Sequence, residues 1–281
     1  MNEYDIIWFR LGHRITADML ALRQRCRMIV CPVTGLDHID IEACQRAGVV
    51  VVSLKGEVEF LRTVRSTAEH TLALILALVR KLPAAHNAVL RGEWDRDRFQ
   101  GNELHGKTLG LVGVGRLGTL VAGMAKGFGL QIIGYDPRPD FPESICERCE
   151  DLEELIARAD IVSIHVAYTP ATHHLFGNAQ FRAMKTGSLL VNTARGGVID
   201  NVALVEALTN GPLSGAALDV IDGEPELGSN HPLIAHARQN NRLVLTPHIG
   251  GNTFEAFEKT EAFIARKVIE QWPALAQRMP S

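Results

Sequence analysis

Three short segments of this chain gather side chains that can do chemistry. Asn192-Thr193-Ala194-Arg195-Gly196-Gly197 sets an arginine before two glycines, and Asp219-Val220-Ile221-Asp222-Gly223-Glu224-Pro225 brings acids around a turn. Thr246-Pro247-His248-Ile249-Gly250-Gly251 sets a histidine ahead of two glycines. Each follows an apolar run of strand length, at residues 188–191, 215–218 and 243–245. An arginine can hold a carboxylate through two parallel hydrogen bonds. A histidine can give or take a proton near neutrality, and a carboxylate on its second ring nitrogen would fix its tautomer. Glycines beside it let a flat ring come close. Taken singly, each segment has a plainer reading: Arg-Gly-Gly a turn, Pro-His-Ile-Gly-Gly a loop, Glu224 a solvated acid. Of the eleven histidines, His13, His38, His105, His173, His174 and His236 receive no role.

A fourth segment supplies a partner for such chemistry. Lys107–Asp136 reads strand, glycine turn, helix, strand, with Gly113, Gly115 and Gly118 in G-x-G-x-x-G spacing. Gly113 suits a tight turn, Gly115 leaves room for a pyrophosphate at the backbone, and Gly118 allows close helix–strand packing. Arg116, Leu117 and Gly118 open the helix. Asp136 ends the second strand, where a carboxylate can accept both ribose hydroxyls and repel a 2′-phosphate. NAD is therefore favoured, with Arg138 close enough to soften that preference.

These segments need a scaffold that brings strand ends together. Strands are expected at 4–9, 27–31 and 49–52, with helices at 16–24 and 40–47. Residues 67–79 (TAEHTLALILALV) are apolar almost all round and read as a buried helix between domains, stopped or kinked at Pro83. Six more strands follow, at 107–112, 130–135, 160–164, 188–192, 215–219 and 243–246, separated by helical stretches. Such alternation makes a parallel sheet covered on both faces, with ligands beyond the carboxyl ends of the strands. Residues 253–272 form a final amphipathic helix, capped by Thr253, with Phe254, Phe257, Ile264 and Val268 on one side.

The 281 residues are 46% hydrophobic and 22% charged, enough for one large or two modest cores. The net charge of −3, with both signs interspersed, gives no nucleic-acid or anionic-membrane surface. No apolar run approaches the about 20 residues of a membrane helix, and the first ten residues do not read as a signal peptide. A cytoplasmic location is expected. Five cysteines make no disulfide framework, and Cys146 and Cys149 read as reduced thiols in a surface segment rather than a metal site.

The chain resembles the D-isomer-specific 2-hydroxyacid dehydrogenases over nearly its whole length. The matching stretches are VTGLDHIDIEACQRAGVVVV, RSTAEHTLALILALVR, GKTLGLVGVGRLG, GSLLVNTARGGVID, GAALDVIDGEPE and LTPHIGGNT. Within the family, GEWDRDRFQGNELHGKTLG, RSTAEH and PHIGGNT look most like phosphoglycerate dehydrogenases. The resemblance implies an α/β fold: a Rossmann-type doubly wound parallel sheet inserted into a smaller, N-terminally shortened flavodoxin-like domain. The expected boundaries are 1–80 with 256–281 for the substrate domain and 81–255 for the NAD domain. It also implies roles. His248 is the acid–base, Glu224 its partner, and Arg195 the anchor for the substrate carboxylate and carbonyl. Gly113, Gly115, Arg116, Leu117, Gly118, Asp136, Thr193, Asp219, His248 and Gly250 are the cofactor contacts, Asp219 for the nicotinamide amide. Backbone N–H groups near Thr34 and Gly35 meet the substrate carboxylate. Arg62 and Arg65, the latter matching an arginine before S-x-A-E in some phosphoglycerate dehydrogenases, read either as a site for a phosphate or second carboxylate or as a solvated basic loop. The expected partners are a small 2-hydroxy or 2-keto acid and a second copy in a homodimer joined through the NAD domains, with no metal.

The chain departs from the family pattern in three places. A strand–helix–strand–helix unit that family members carry before the segment matching Tyr4–Phe9 is not seen, so the strand holding Trp8 is expected to have an open apolar edge. That edge would need a partner chain or an upstream start. Ala167 stands where proline is usual, and Ile221 where phenylalanine is common. Against the family pattern, the C-terminal regulatory domain of serine-sensitive phosphoglycerate dehydrogenases is not expected. A non-enzymatic NAD-sensing protein of the corepressor type is the alternative from a different class. Hydroxypyruvate and glyoxylate are alternative substrates.

Overall fold

The computed structural model describes residues 1, 3–21 and 25–277. Two compact units emerge: Met1–Val64 with Thr253–Ser281, and Arg65–Asn252. The larger unit is thus inserted into the smaller one along the chain.

The smaller unit runs β1 (Ile6–Trp8), α1 (Ala17–Ala21), β2 (Met28–Cys31), α2 (Ile41–Arg46), β3 (Val50–Ser53) and α3 (Val58–Leu61). The expected helix over 16–24 is α1; its residues 22–24 lie outside the described residues. The three strands are parallel in the order β1-β2-β3. Because side chains alternate along a strand, Ile29 and Cys31 face one cluster with Leu20 and Ala43, while Met28 and Val30 face another with Leu54. Asp40 caps α2 by accepting from the Ala43 N–H at 2.8 Å. β1 is an edge strand, as expected, and Trp8 remains 41% exposed.

The larger unit begins with α4 (Ser66–Val79) and α5 (Leu82–Leu90). It continues through β4 (Thr108–Val112), α6 (Arg116–Ala125), β5 (Gln131–Tyr135), β6 (Glu147–Arg148), α7 (Leu152–Arg158) and β7 (Ile161–Ile164). Then come α8 (Asn178–Ala183), β8 (Leu189–Asn192), α9 (Asn201–Thr209), β9 (Gly215–Leu218), α10 (Pro232–Gln239) and β10 (Leu243–Leu245). All seven strands are parallel, in the order β10-β9-β8-β7-β4-β5-β6. Chain direction across the sheet reverses between β4 and β7, the switch point where such sheets open a crevice. The long helix α11 (Phe254–Ala276) returns to the smaller unit and packs along β3. Thr253 caps it, accepting from the Ala256 N–H at 3.1 Å. Phe60 and Phe263 stack there with centroids 3.9 Å apart, and Trp8 Nε1 and Arg10 Nη1 both donate to the Glu261 carboxylate at 2.8 Å.

Several expectations are corrected. The domain boundary falls at 64/65 rather than 80/81, and at 252/253 rather than 255/256. The reason is α4, whose Ala68, Leu72, Ile75 and Val79 join the core with Leu109, Leu111, Val191 and Ala217. Arg65 therefore starts the larger unit. Pro83 does not kink α4; Lys81, at φ 53°, ends the run and Pro83 sits in the first turn of α5, where its missing N–H costs nothing. A seventh strand, the two-residue β6, was not expected, being too short and charged to show a pattern. Phe254 is 94% exposed rather than on a packed face, whereas Ile264 is fully buried.

The cysteine pair is also corrected. Cys146 and Cys149 are both buried, and β6 between them turns their side chains to opposite faces of the sheet. Cys146 packs with Phe141, Val121 and Ala122, and Cys149 with Leu152, Leu155 and Ile156. Burial pushes each thiol up to about 11. Two sulfurs in separate cores are inert packing groups.

Candidate active site

The three chemistry-bearing segments leave the carboxyl ends of β8, β9 and β10, which are adjacent in the sheet. Asn192 closes the first loop: its Nδ2 donates to the Arg195 carbonyl and its Oδ1 accepts from the Ala194 N–H, both at 2.9 Å. The glycines after Arg195 are required by close approach, not by a turn. A Cβ on Gly196 would lie 2.1 Å from the Asp222 nitrogen, and one on Gly197 2.7 Å from the Tyr168 ring. So the arginine's loop is pressed against the loop after β9. That second loop meets the third through Glu224, whose Oε1 lies 2.5 Å from His248 Nδ1. His248 is held at φ 55°, a left-handed conformation costly for a residue with a Cβ, and its N–H donates to the Asp219 carbonyl at 2.8 Å. Backbone strain at a residue with a carboxylate-oriented imidazole is a pattern of functional sites.

Asp219 lies beneath, 1% exposed. Thr246 Oγ1 donates to it at 2.6 Å, the Ile249 N–H at 2.9 Å and the Gly250 N–H at 2.8 Å, and His70 Nε2 is 3.2 Å away. Burial by itself would raise this carboxyl, but these four contacts prevail and bring it down to about 2. The acid is therefore a fixed anion that ties the β9 and β10 loops together.

Two residues here escaped the sequence reading. His70 Nε2 also lies 3.1 Å from Thr246 Oγ1, and Thr71 Oγ1 lies 2.9 Å from Thr193 Oγ1 in a buried contact. Both sit on α4. Thr67, His70 and Thr71 recur at i, i+3 and i+4, a polar stripe on an otherwise apolar helix. That stripe was the available signal.

The glycine turn sits at the switch point. Gly113 has φ +93°, and a Cβ on Gly118 would be 2.2 Å from the Gly113 carbonyl oxygen. At Gly115 a Cβ would meet nothing nearer than Arg138 Nη2 at 4.0 Å, so a pyrophosphate has room at the backbone. α6 starts at Arg116, so the N–H groups of its first turn, at Arg116, Leu117 and Gly118, face that space. Asp136, 6% exposed, ends β5 as expected. Its carboxylate, however, is held by a guanidinium. Arg138 donates from Nε to Oδ1 at 2.9 Å and from Nη2 to Oδ2 at 3.1 Å. The N–H groups of Arg138 and Val114 add contacts at 3.1 and 3.0 Å. Burial opposes ionisation there, yet these bonds keep Asp136 below its ordinary value. The fit to a dinucleotide is good at the turn, while the acid meant for the ribose is already engaged.

The remaining expected contacts lie elsewhere on the chain. Thr34 is exposed and Gly35 half-buried in the loop after β2, in the smaller unit, and Arg65 is exposed at the start of α4. Among the described residues, no group of three His, Cys, Asp or Glu side chains is arranged to hold a metal ion. No single described helix is long and apolar enough to cross a membrane.

Residues 72–250 match the family described as D-isomer specific 2-hydroxyacid dehydrogenase, NAD binding domain. The chain belongs to this family. Its relatives within the family include the D-3-phosphoglycerate dehydrogenase of Methanocaldococcus jannaschii, 38% identical over 273 residues, or 95% of this chain and 50% of that one. The glyoxylate reductase of Aeropyrum pernix is 38% identical over 98% of this chain and 81% of its own. The chain thus spans about half the length of the phosphoglycerate dehydrogenase it matches, and most of the glyoxylate reductase. Among solved family structures, D-lactate dehydrogenase from Aquifex aeolicus, complexed with NAD and lactic acid, superposes with a TM-score of 0.83 at 30% identity, covering 100% of this chain and 88% of that one.

Proposed function

We propose that this chain is an NAD-dependent oxidoreductase that moves a hydride between the nicotinamide and C2 of a D-2-hydroxy acid or 2-keto acid. The observation that carries the reading is the Glu224–His248 pair, set at 2.5 Å on strand-end loops pressed against the loop of Arg195. When bound, NADH supplies the hydride. In the reduction, His248 gives a proton to the carbonyl oxygen as C2 gains that hydride; in the oxidation it takes the hydroxyl proton. Glu224 holds Nδ1 of the imidazole, so that Nε2 is the atom presented to substrate. Arg195 grips the substrate carboxylate and polarises its carbonyl. Asp219, fixed as an anion, accepts from the nicotinamide carboxamide at Oδ2, which takes the Gly250 N–H while the other three contacts are at Oδ1, and Thr193 and Gly250 line the same end. Gly113, Gly115, Arg116, Leu117 and Gly118 take the pyrophosphate, and Asp136 the adenosine ribose. In the smaller unit the proposed carboxylate contacts are backbone N–H groups at Thr34 and Gly35. Arg65 is the proposed contact for a second anionic group.

The kinship with phosphoglycerate dehydrogenases puts 3-phosphoglycerate and its 2-keto counterpart first among substrates, with hydroxypyruvate and glyoxylate next. A homodimer is part of the proposal. Leu82, Val89, Leu90 and Trp94 are each exposed on α5 and the turn after it, Leu90 and Trp94 at 72% and 87%, and are the apolar side chains offered to a second copy. The proposed location is the cytoplasm. The test is loss of NADH absorbance at 340 nm against a panel of 2-keto acids. Turnover of at least one is expected, with the phosphorylated acid favoured and Arg65→Ala raising its KM more than that of glyoxylate. Tight NADH binding with no turnover of any acid would point instead to an NAD-sensing protein.

A further inference from the structure

The adenosine end of the site departs from what an NAD-selective turn requires. A carboxylate that selects a free 2′-hydroxyl must offer lone pairs to the ribose. A carboxylate has about four acceptor positions, and Asp136 already accepts from Arg138 Nε, Arg138 Nη2, the Arg138 N–H and the Val114 N–H. Its negative charge is also neutralised by the same guanidinium, so the repulsion that would exclude a phosphate is largely cancelled. Arg138 itself is half exposed, with its side chain at 49%. Its Nη2 is the nearest group to the open Cβ position of Gly115. The guanidinium therefore lies at the mouth of the turn; Nη2 donates to Asp136 and, at 3.5 Å, to the Val114 carbonyl, while Nη1, 3.9 Å from Asp140, is the nitrogen with N–H groups to spare. The other charges nearby are Arg148, whose Nη2 donates to the Arg138 carbonyl at 3.3 Å, and Asp140, 3.9 Å from Arg138 Nη1 and well exposed. Arg148 lies over the Phe141 ring at 5.2 Å, which keeps a second cation beside the first.

We propose that Arg138 makes this site accept 2′-phosphorylated dinucleotides, NADP(H), alongside NAD(H). The inference rests on the reading that the glycine turn binds a dinucleotide. With NADP(H), the guanidinium stays on Asp136 through Nε and turns its outer N–H groups to the 2′-phosphate. With NAD(H), the guanidinium must swing off Asp136 before the ribose hydroxyls can reach the carboxylate, so NAD(H) bears a cost that NADP(H) avoids.

The experiment is equilibrium titration of the full chain with NADH, NADPH, ADP-ribose and 2′-phospho-ADP-ribose. The last two lack nicotinamide, so the result does not depend on the catalytic reading. Wild type is expected to bind NADPH within about tenfold of NADH. Arg138→Ala should weaken NADPH by about ten- to a hundredfold, the loss of a charge-assisted contact, while NADH binding holds or tightens. The phosphorylated and plain ADP-ribose should follow the same pattern, and NADPH affinity should fall more steeply with salt. Since Arg138→Ala strips a buried carboxylate of its partner, Arg138→Lys is the second variant. It keeps the charge but loses the fork, and should give an intermediate NADPH affinity. Wild-type NADPH binding more than about a hundredfold weaker than NADH, or an NADH/NADPH ratio unmoved by both variants, would overturn the proposal and leave the dehydrogenase reading standing. Failure of wild type to bind either dinucleotide would overturn both.

Discussion

Asp219 and Asp136 are both buried carboxylates at strand ends of one sheet, and both stay ionised, but by different means. Asp219 is held by a hydroxyl, two backbone N–H groups and His70, which come from the loop after β10 and from α4. Asp136 is held by a guanidinium two residues along, on a half-exposed side chain. The first arrangement is rigid, because no member can leave without unpairing another. The second is adjustable, because an arginine can turn to solvent or to a ligand. The end proposed for the nicotinamide, where geometry decides the chemistry, has the rigid anion. The end proposed for the adenosine, where only binding is at stake, has the adjustable one.

If that contrast is right, variants at the two ends should fail differently. The largest effect belongs to His248→Ala, which should lower kcat by about 10²–10⁴-fold through loss of the proton partner. NADH titration should be unchanged in the same protein. Survival of turnover would remove His248 from the mechanism.

Next is Asp219→Asn, read by urea unfolding across pH. The carboxyl falls from 3.8 to about 2 on folding, so its stabilisation is complete above the unfolded value and disappears as pH drops through the folded one. The shift corresponds to about 2 kcal/mol. Wild type should therefore exceed the variant by about that much at neutral pH, and the two curves should converge on acidification. Parallel curves at all pH values would show that the anion is not what the surrounding donors hold.

The smallest effect sharpens the role of His70. His70→Phe should weaken NADH by about tenfold, the worth of one hydrogen bond to a charged group, and leave ADP-ribose unaffected. His70→Asn should restore part of the loss. Equal weakening of both ligands would mean that His70 matters only for packing.

Much of this contrast was legible in the chain, and the failures have identifiable causes. The glycine turn and the three strand-end segments stand out because each rests on local spacing: an apolar run, then glycine or a polar group. A carboxylate on the second ring nitrogen of His248 was expected on chemical grounds, and the family resemblance named it as Glu224. His70 was passed over because its partners, Asp219 and Thr246, are far along the chain, and a lone histidine in an apolar helix gives no direction. The same helix led to the misplaced boundary, since a run apolar on every side does not say which core it enters. Cys146 and Cys149 looked exposed because CERCEDLEE is mostly charged, yet a two-residue edge strand is enough to turn alternate side chains inward. Arg138 was noted as near Asp136, but whether it competes for the carboxylate or points away is a matter of rotamer, which spacing does not encode.

The central claim is tested most directly by following the hydride itself, with NADH dideuterated at C4 and whichever 2-keto acid is turned over. The account predicts a D-2-hydroxy acid carrying deuterium at C2, formed about 10²–10⁴-fold more slowly by His248→Ala. Product without deuterium at C2, or of the L configuration, would contradict it.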